Sequence, residues 1–320
     1  MDQNTEKLRW IDRPCDWCGS TEVELNFKGP DRLEHLPGEF TIVRCQSCGL
    51  YRQNPYLEWD SLKHYYPEDY ASHASLVQDQ PNLLRRLDKR YGPWKRLRSV
   101  EGYQPGGRLL EVGCGTGLFL EEALRSGRWE LTGIEPSERA ANYVREKLGL
   151  TIIQDTFENT ELPENYFDVI VMWNVLEHLD QPIESLRRAH RSLKDGGWLI
   201  VGIPNLESWE ASLFGPTWIG WDLPRHLYLF PRDTLREIYT ELGFRWEAIR
   251  CLSTSYSVLG HTLDFWSQTW EDKYPILRKI LLRTYYSLPG RILMLFPLWI
   301  SDRLTRSTII TIFAQKQQSR

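Results

Sequence analysis

Four of the six cysteines fall into a repeated pattern. Cys15 and Cys18 form Cys-x-x-Cys followed by Gly19, and Cys45 and Cys48 form a second followed by Gly49. A tight turn of this kind aims two thiolates at one ion, and the glycine permits a left-handed backbone after the second ligand. Two such turns supply four thiolates, which close a tetrahedral zinc site. A closed site has no position left for substrate, so the expected zinc is structural. Two disulfides and a redox pair are the other readings. The first residues, Met-Asp-Gln-Asn-Thr-Glu-Lys, carry no apolar run, so neither a signal peptide nor an anchor is expected. The expected compartment is the cytosol, where thiols stay reduced. Duplication of the motif, with no thioredoxin-like context, argues against redox chemistry. Cys114 and Cys251 are isolated.

A second constellation is Glu111-Val112-Gly113-Cys114-Gly115-Thr116-Gly117. Glycines let a ligand approach the main chain, whose N–H groups then point at it. Glu135 follows with a carboxylate that can accept bonds from ribose hydroxyls. A dinucleotide fingerprint spaces its glycines G-x-G-x-x-G; here the third glycine comes one residue early. Glu111 also stands two residues before the first glycine. A negative side chain there suits a cationic amino-acid ligand better than a pyrophosphate.

These residues need strand ends and helix starts to hold them, and the pattern supplies both. Leu109–Val112, Glu130–Ile134, Thr151–Ile153, Phe167–Trp173 and Trp198–Ile203 read as strands. Gly117–Ser126, Ser137–Leu148 and Ile183–Leu193 read as helices between them, the second capped by Ser137. Strands alternating with helices imply an α/β fold with a doubly wound parallel sheet, whose ligand sits at the carboxyl ends of the strands. Hydrophobic residues make up 41% and charged residues 26%, which excludes disorder as the main state. A net charge of −4 gives no reason to expect nucleic acid as a partner. No stretch of apolar residues is long enough to read as a spanning helix.

In this setting Glu111–Gly117 resembles motif I of class I S-adenosylmethionine-dependent methyltransferases. The resemblance continues through Glu135, Asp155-Thr156-Phe157, Phe167-Asp168-Val169-Ile170, Asn174-Val175-Leu176-Glu177-His178 and Leu193-Lys194-Asp195-Gly196-Gly197. It implies a seven-stranded Rossmann-like sheet with the last strand antiparallel, for which Arg245–Leu252 and Ser307–Lys316 suit the sixth and seventh strands. It further implies that Glu111, Gly113, Cys114, Gly115, Thr116 and Gly117 hold the methionine end of S-adenosylmethionine. Glu135 and Pro136 would lie at the ribose, Asp155, Thr156 and Phe157 at the adenine, and Trp173, Asn174 and Val175 beside the sulfonium. Cys114 reads as a spacer. The cysteine pairs, Tyr65-Tyr66-Pro67, Tyr70 and the run Trp221–Phe230 before a helix at Asp233–Leu242 resemble bacterial methyltransferases with an N-terminal zinc-binding segment. Members of that group methylate sugars of surface polysaccharides and natural products, or quinone-like and aromatic acceptors.

The implied organisation is a zinc-ribbon-like module over 1–55, a helical connector or cap over 56–104, and a methyltransferase domain over 105–320. That domain would carry a loop insertion over 205–232 and a basic amphipathic helical insertion over 256–305. The expected function is O-methylation of a sugar or glycosylated metabolite. The alternatives are a quinone or small aromatic acceptor, and a non-catalytic adaptor that keeps the fold. Transfer to an alcohol requires removal of a proton. His178 follows the fourth strand, and His226 lies in an aromatic loop, so both are candidate bases. Trp221, Arg225 and Tyr228 are candidate acceptor-binding residues. From Lys273 onward nine basic residues face a single acid, Asp302, among short apolar blocks. Peripheral membrane contact through 274–306 is one expectation for this stretch. Packing of two helices on the sheet is the other.

Overall fold

A computed structural model of the chain describes residues 8–66, 76–252, 255–270 and 273–318. Pro67 and Tyr70, and the first seven residues, lie outside the described residues. The N-terminal elements are β1 (Trp10–Ile11), β2 (Val23–Gly29), β3 (Phe40–Cys45), β4 (Tyr51–Gln53), β5 (Tyr56–Leu57), α1 (Trp59–Leu62) and α2 (Leu83–Glu101). Then follow β6 (Gly107–Val112), α3 (Leu118–Ser126), β7 (Trp129–Ile134), α4 (Glu138–Leu148), β8 (Thr151–Ile153), β9 (Phe167–Trp173), α5 (Pro182–Ser192) and β10 (Leu193–Pro204). The remainder runs α6 (Trp209–Phe214), β11 (Tyr228–Leu229), α7 (Arg232–Glu241), β12 (Phe244–Arg250), α8 (Ser255–Gln268), α9 (Pro275–Tyr285), α10 (Leu288–Arg303) and β13 (Ile309–Lys316).

The chain divides into two compact units. One comprises Glu68–Ile203, Arg236–Ser253 and Ile310–Arg320. It contains a seven-stranded sheet in the order β12-β13-β10-β9-β6-β7-β8. Strands β6 to β10 pair in parallel, and β13 runs antiparallel to β12. Strand order reverses between β6 and β9, and that switch point is where such sheets bind ligands. Strand β9 is buried along almost its whole length, as expected when helices cover both faces. The core joins Leu109, Val169, Val171 and Ile200 of the sheet to Phe119, Leu120 and Val144 of its helices. Helix starts follow local chemistry. Gly117 precedes α3 in a left-handed conformation, Ser137 accepts the Ala140 N–H ahead of α4, and Pro182 opens α5.

The other unit comprises Met1–Pro67, Pro204–Leu235 and Thr254–Ile309. Its four-stranded sheet has the order β11-β4-β3-β2, so Tyr228–Leu229 supplies an edge to a sheet begun far upstream. The stretches 205–232 and 256–305, read from sequence as insertions, both fall in this unit. The second forms α8, α9 and α10, and the last two are the two helices expected of the basic stretch from Lys273. Leu259, Tyr285 and Leu298 make a small core there with Trp209, Phe214 and Met294.

Candidate functional site

Strand β6 delivers Glu111 and Val112 into the glycine turn. Gly113, Gly115 and Gly117 have φ of 65°, 52° and 79°, a left-handed path that side chains resist. A Cβ on Gly113 would lie 2.6 Å from Val175, and one on Gly117 would lie 3.0 Å from Val144, so the turn also lacks room for one. Glu135, at the end of β7, reaches across to this turn. Its Oε2 accepts the Gly115 N–H at 2.8 Å, and its Oε1 accepts the Ser137 N–H at 2.9 Å. The carboxylate is thus oriented before any ligand arrives. Pro136 beside it is exposed.

Glu111 is buried, and among the described residues its Oε2 has no hydrogen-bond partner. Burial pushes its carboxyl well above the ordinary carboxylate range; Arg96 opposes this shift and Glu135 adds to it. A buried carboxylate with a vacant acceptor calls for a cationic donor. The glycine cradle, the vacant Glu111 oxygen and the oriented Glu135 fit the amino-acid and ribose groups of S-adenosylmethionine. Cys114 is buried, and desolvation raises its thiol pKa, consistent with an inert spacer.

Trp173 ends β9, with its ring 5.4 Å from that of Phe119. The Arg96 guanidinium, from α2, stands 4.7 Å over the Trp173 ring and couples electrostatically to Glu111. Arg96 is not among the residues that the sequence motifs single out. Only its helical position above the glycine turn singles it out from the neighbouring arginines. Asn174 follows with φ of 57°, a left-handed value that asparagine tolerates, and donates its N–H to Gly202 at 2.9 Å. Val175 accepts the His178 N–H at 2.9 Å, and His178 is half-buried in the ensuing 3-10 turn. Asp155 is exposed and accepts the Thr156 N–H at 2.7 Å, while Phe157 is buried. Apart from Arg96 of α2 and Phe119 of α3, these residues occupy the carboxyl ends of β6, β7, β8 and β9 or the turns that follow.

In the other unit the four Cys-x-x-Cys sulfurs lie within 4.8 Å of one another. Cys15 and Cys48 are 3.5 Å apart at sulfur, as are Cys18 and Cys45. Four sulfurs about 2.3 Å from one ion would be about 3.8 Å apart, so the spacing suits a tetrahedral metal and is far too long for a disulfide. Gly19 and Gly49 donate to the carbonyls of Cys15 and Cys45 at 2.9 Å, with φ of 72° and 77°. These are the knuckle turns expected from sequence.

The aromatic loop needs a correction. Arg225 is wholly buried and is not poised to contact an acceptor. Its Nη2 donates to Asp31 and Asp222, each at 2.7 Å, its Nε to both Asp222 oxygens at 3.1 Å, and its Nη1 to the Tyr65 carbonyl at 3.0 Å. Burial works against its charge, and the two carboxylates more than offset that. Trp221 likewise packs against Phe27, with ring centroids 4.9 Å apart, and donates to Gly215. Tyr228 is buried in β11 and stacks on Phe230. The His226 Nδ1 lies 2.8 Å from the Gly220 carbonyl, which can only accept, so the neutral ring carries its proton on Nδ1. Burial lowers its pKa and favours that neutral form.

Residues 77–249, more than half the chain, match the model of a methyltransferase domain family. The chain belongs to this methyltransferase family. A ubiquinone biosynthesis O-methyltransferase of Proteus mirabilis is 34% identical over 123 residues, 36% of this chain and 49% of that protein. One from Cereibacter sphaeroides is 33% identical over 178 residues, 47% of this chain and 72% of that protein. The chain therefore spans about half the length of the first relative and more of the second. A solved S-adenosylmethionine-dependent methyltransferase from Mesorhizobium loti is 15% identical, with a TM-score of 0.46, covering 69% of this chain and 98% of that one. The methyltransferase domain as matched includes α2, which brings Arg96, and every cofactor-site residue named above.

Proposed function

We propose that this protein is an S-adenosylmethionine-dependent methyltransferase acting on a hydroxyl of a small-molecule acceptor. One observation carries the reading: a buried carboxylate with a vacant oxygen, Glu111, ends the strand that enters the glycine cradle. S-adenosylmethionine, when bound, supplies a methyl group on a sulfonium. Glu111 would hold its ammonium and Arg96 its carboxylate. Glu135 would take the ribose hydroxyls. Asp155, Thr156 and Phe157 would flank the adenine, and Trp173, Asn174 and Val175 the methyl end. His178 and His226 are the proton acceptors proposed for the acceptor hydroxyl.

Relatives named as ubiquinone biosynthesis O-methyltransferases support an aromatic or quinone-type hydroxyl. The N-terminal cysteine segment, by resemblance, supports a sugar hydroxyl. A panel holding both acceptor types separates the two readings. The four cysteines would hold a structural zinc, with no place in the reaction.

The test is calorimetric titration with S-adenosylmethionine. Glu111→Gln and Glu135→Ala should each weaken binding by about 1–3 kcal/mol, the cost of a lost charge-assisted bond. Wild type should release protons as the ammonium lowers the Glu111 pKa, detected by varying the buffer, and Glu111→Gln should not. Wild-type affinity in both variants overturns the site.

A further inference from the structure

Helices α9 and α10 leave an apolar surface on the N-terminal cysteine unit that the unit itself does not cover. Helix α10 is apolar on two faces. Gly290, Met294, Leu298 and Ser301 recur at helical spacing on its inner line, and three of them are buried. The opposite line carries Leu288, Ile292, Phe296 and Trp299, all exposed, with Leu293 beside them. Leu293 is 74% exposed and Phe296 67%, values that belong to loop tips and not to two large apolar side chains in mid-helix. Helix α9 continues the surface with Ile276, Leu277 and Ile280. A helix apolar all round is normally buried, and a contiguous exposed apolar patch marks a contact surface.

Its charge says what the contact is. Between Lys273 and Arg306 there are seven Lys and Arg and one acid, Asp302. Arg278 is already matched by Asp264 at 2.8 Å. Lys279, Arg283 and Arg291 are exposed, and the Arg303 guanidinium sits 5.2 Å over the Trp299 ring. We propose that α9 and α10 dock this protein on an anionic lipid surface, with the α10 apolar line in the acyl boundary and the basic side chains at the headgroups. Aromatic and aliphatic side chains beside lysine and arginine are the composition of an interfacial helix. At 16 residues α10 is about 24 Å long, too short to span. No helix among the described residues is long and apolar enough to cross a membrane. A second copy is the poorer occupant, because a two-fold contact would set this positive surface against itself. A negative bilayer gains from exposed Lys279 and Arg283. This inference does not depend on the methyl acceptor.

The test is flotation of the full chain with phosphatidylcholine vesicles, with or without roughly one third phosphatidylglycerol, at about 0.1 M salt. Wild type should float with the anionic vesicles, weakly with the neutral ones, and less as salt rises. The double variant Leu293→Glu, Phe296→Glu should bind at least about tenfold more weakly, with an unchanged thermal melt because both side chains are exposed. Lys279→Glu with Arg283→Glu leaves the apolar line intact and should cost about fivefold or more per charge, with the preference for anionic lipid lost. Three results overturn the proposal. They are failure of wild type to float, equal partition into both vesicle types, and a dimer that the glutamate variant dissociates while wild type ignores lipid.

Discussion

The two units hold their functional residues by opposite means. In the sheet unit the site is mostly main chain. Three left-handed glycines shape the turn, and Glu135 grips it through backbone N–H groups of Gly115 and Ser137. In the cysteine unit, distant stretches of chain meet through buried side chains as well as through the β4–β11 pairing. Four sulfurs cluster, Arg225 joins two aspartates, and Gln53 donates to the carbonyls of Pro224 and His226 at 2.7 and 2.8 Å. A site built on backbone tolerates varied side chains around it. A site built from buried polar side chains fails when one partner is removed. The comparison teaches where substitutions should matter most.

Metal removal is the strongest way to break it. Chelation, or Cys45→Ser, should cost the cysteine unit on the order of 10 kcal/mol of metal-linked stability. Hydrogen exchange should then show β2, β3 and β4 unprotected while β6 and β9 stay protected. Equal protection in the treated and untreated protein would show that the thiols alone suffice. Next comes Arg225. Arg225→Met leaves Asp31 and Asp222 buried without their cation, and should lower stability by about 3–5 kcal/mol. Adding Asp31→Leu and Asp222→Leu should recover most of that loss. Denaturant unfolding of the single and triple variants measures both, and a triple variant no better than the single would remove the charge explanation.

The smallest effect concerns Glu210, whose carboxyl is buried in α6 and bonded to the Thr308 hydroxyl, with Asp302 and Tyr285 as its charged and titratable neighbours. Burial raises its pKa from 4.5 to about 7. Below the unfolded value the group is neutral in both states. Between the two values the unfolded chain has lost its proton and the folded one keeps it, so stability falls as pH rises. The loss is about 3 kcal/mol in all, complete above pH 7. Glu210→Gln should therefore match wild type near pH 4 and exceed it near pH 8. Parallel pH dependence in thermal melts of the two proteins would refute the assignment.

The sheet unit was largely legible because its signals are local. Strand and helix periods alternate, Ser137 announces α4, and the glycine turn sits within seven residues. Most element ends moved little: the strand read at Leu109–Val112 starts at Gly107, and the helix read at Ile183–Leu193 is Pro182–Ser192, whereas the strand read at Trp198–Ile203 begins five residues earlier, at Leu193. Arg96 was missed because the basic face of α2 offers several equal candidates, and only the fold aims one at Trp173 and Glu111. The cysteine cluster was legible for the opposite reason, since a metal site writes its long-range contact into a repeated motif. Arg225 had no such mark. Its partner Asp31 is 194 positions away, and an arginine beside a histidine in an aromatic loop resembles a ligand contact more than a buried ion pair. The helices α9 and α10 were visible as apolar blocks, but which of their faces would be exposed depends on packing that no period encodes.

The late arrival of β11 has a consequence for synthesis. Strand β4 is made early, the carbonyls that receive the Gln53 side chain come up to 173 positions later, and the Tyr228–Leu229 backbone that completes its edge follows them. At about 5–20 residues per second that interval is roughly 10–35 s. For that time the nascent chain carries an open strand edge, which other chains can pair with. Two pairs of thiols, both finished by residue 48, can bind metal before the ribosome has made the rest. With zinc bound, the four cysteines would hold β2 and β3 in register through the exposed interval, acting as a folding clamp whose service is finished when Tyr228 and Leu229 close the edge.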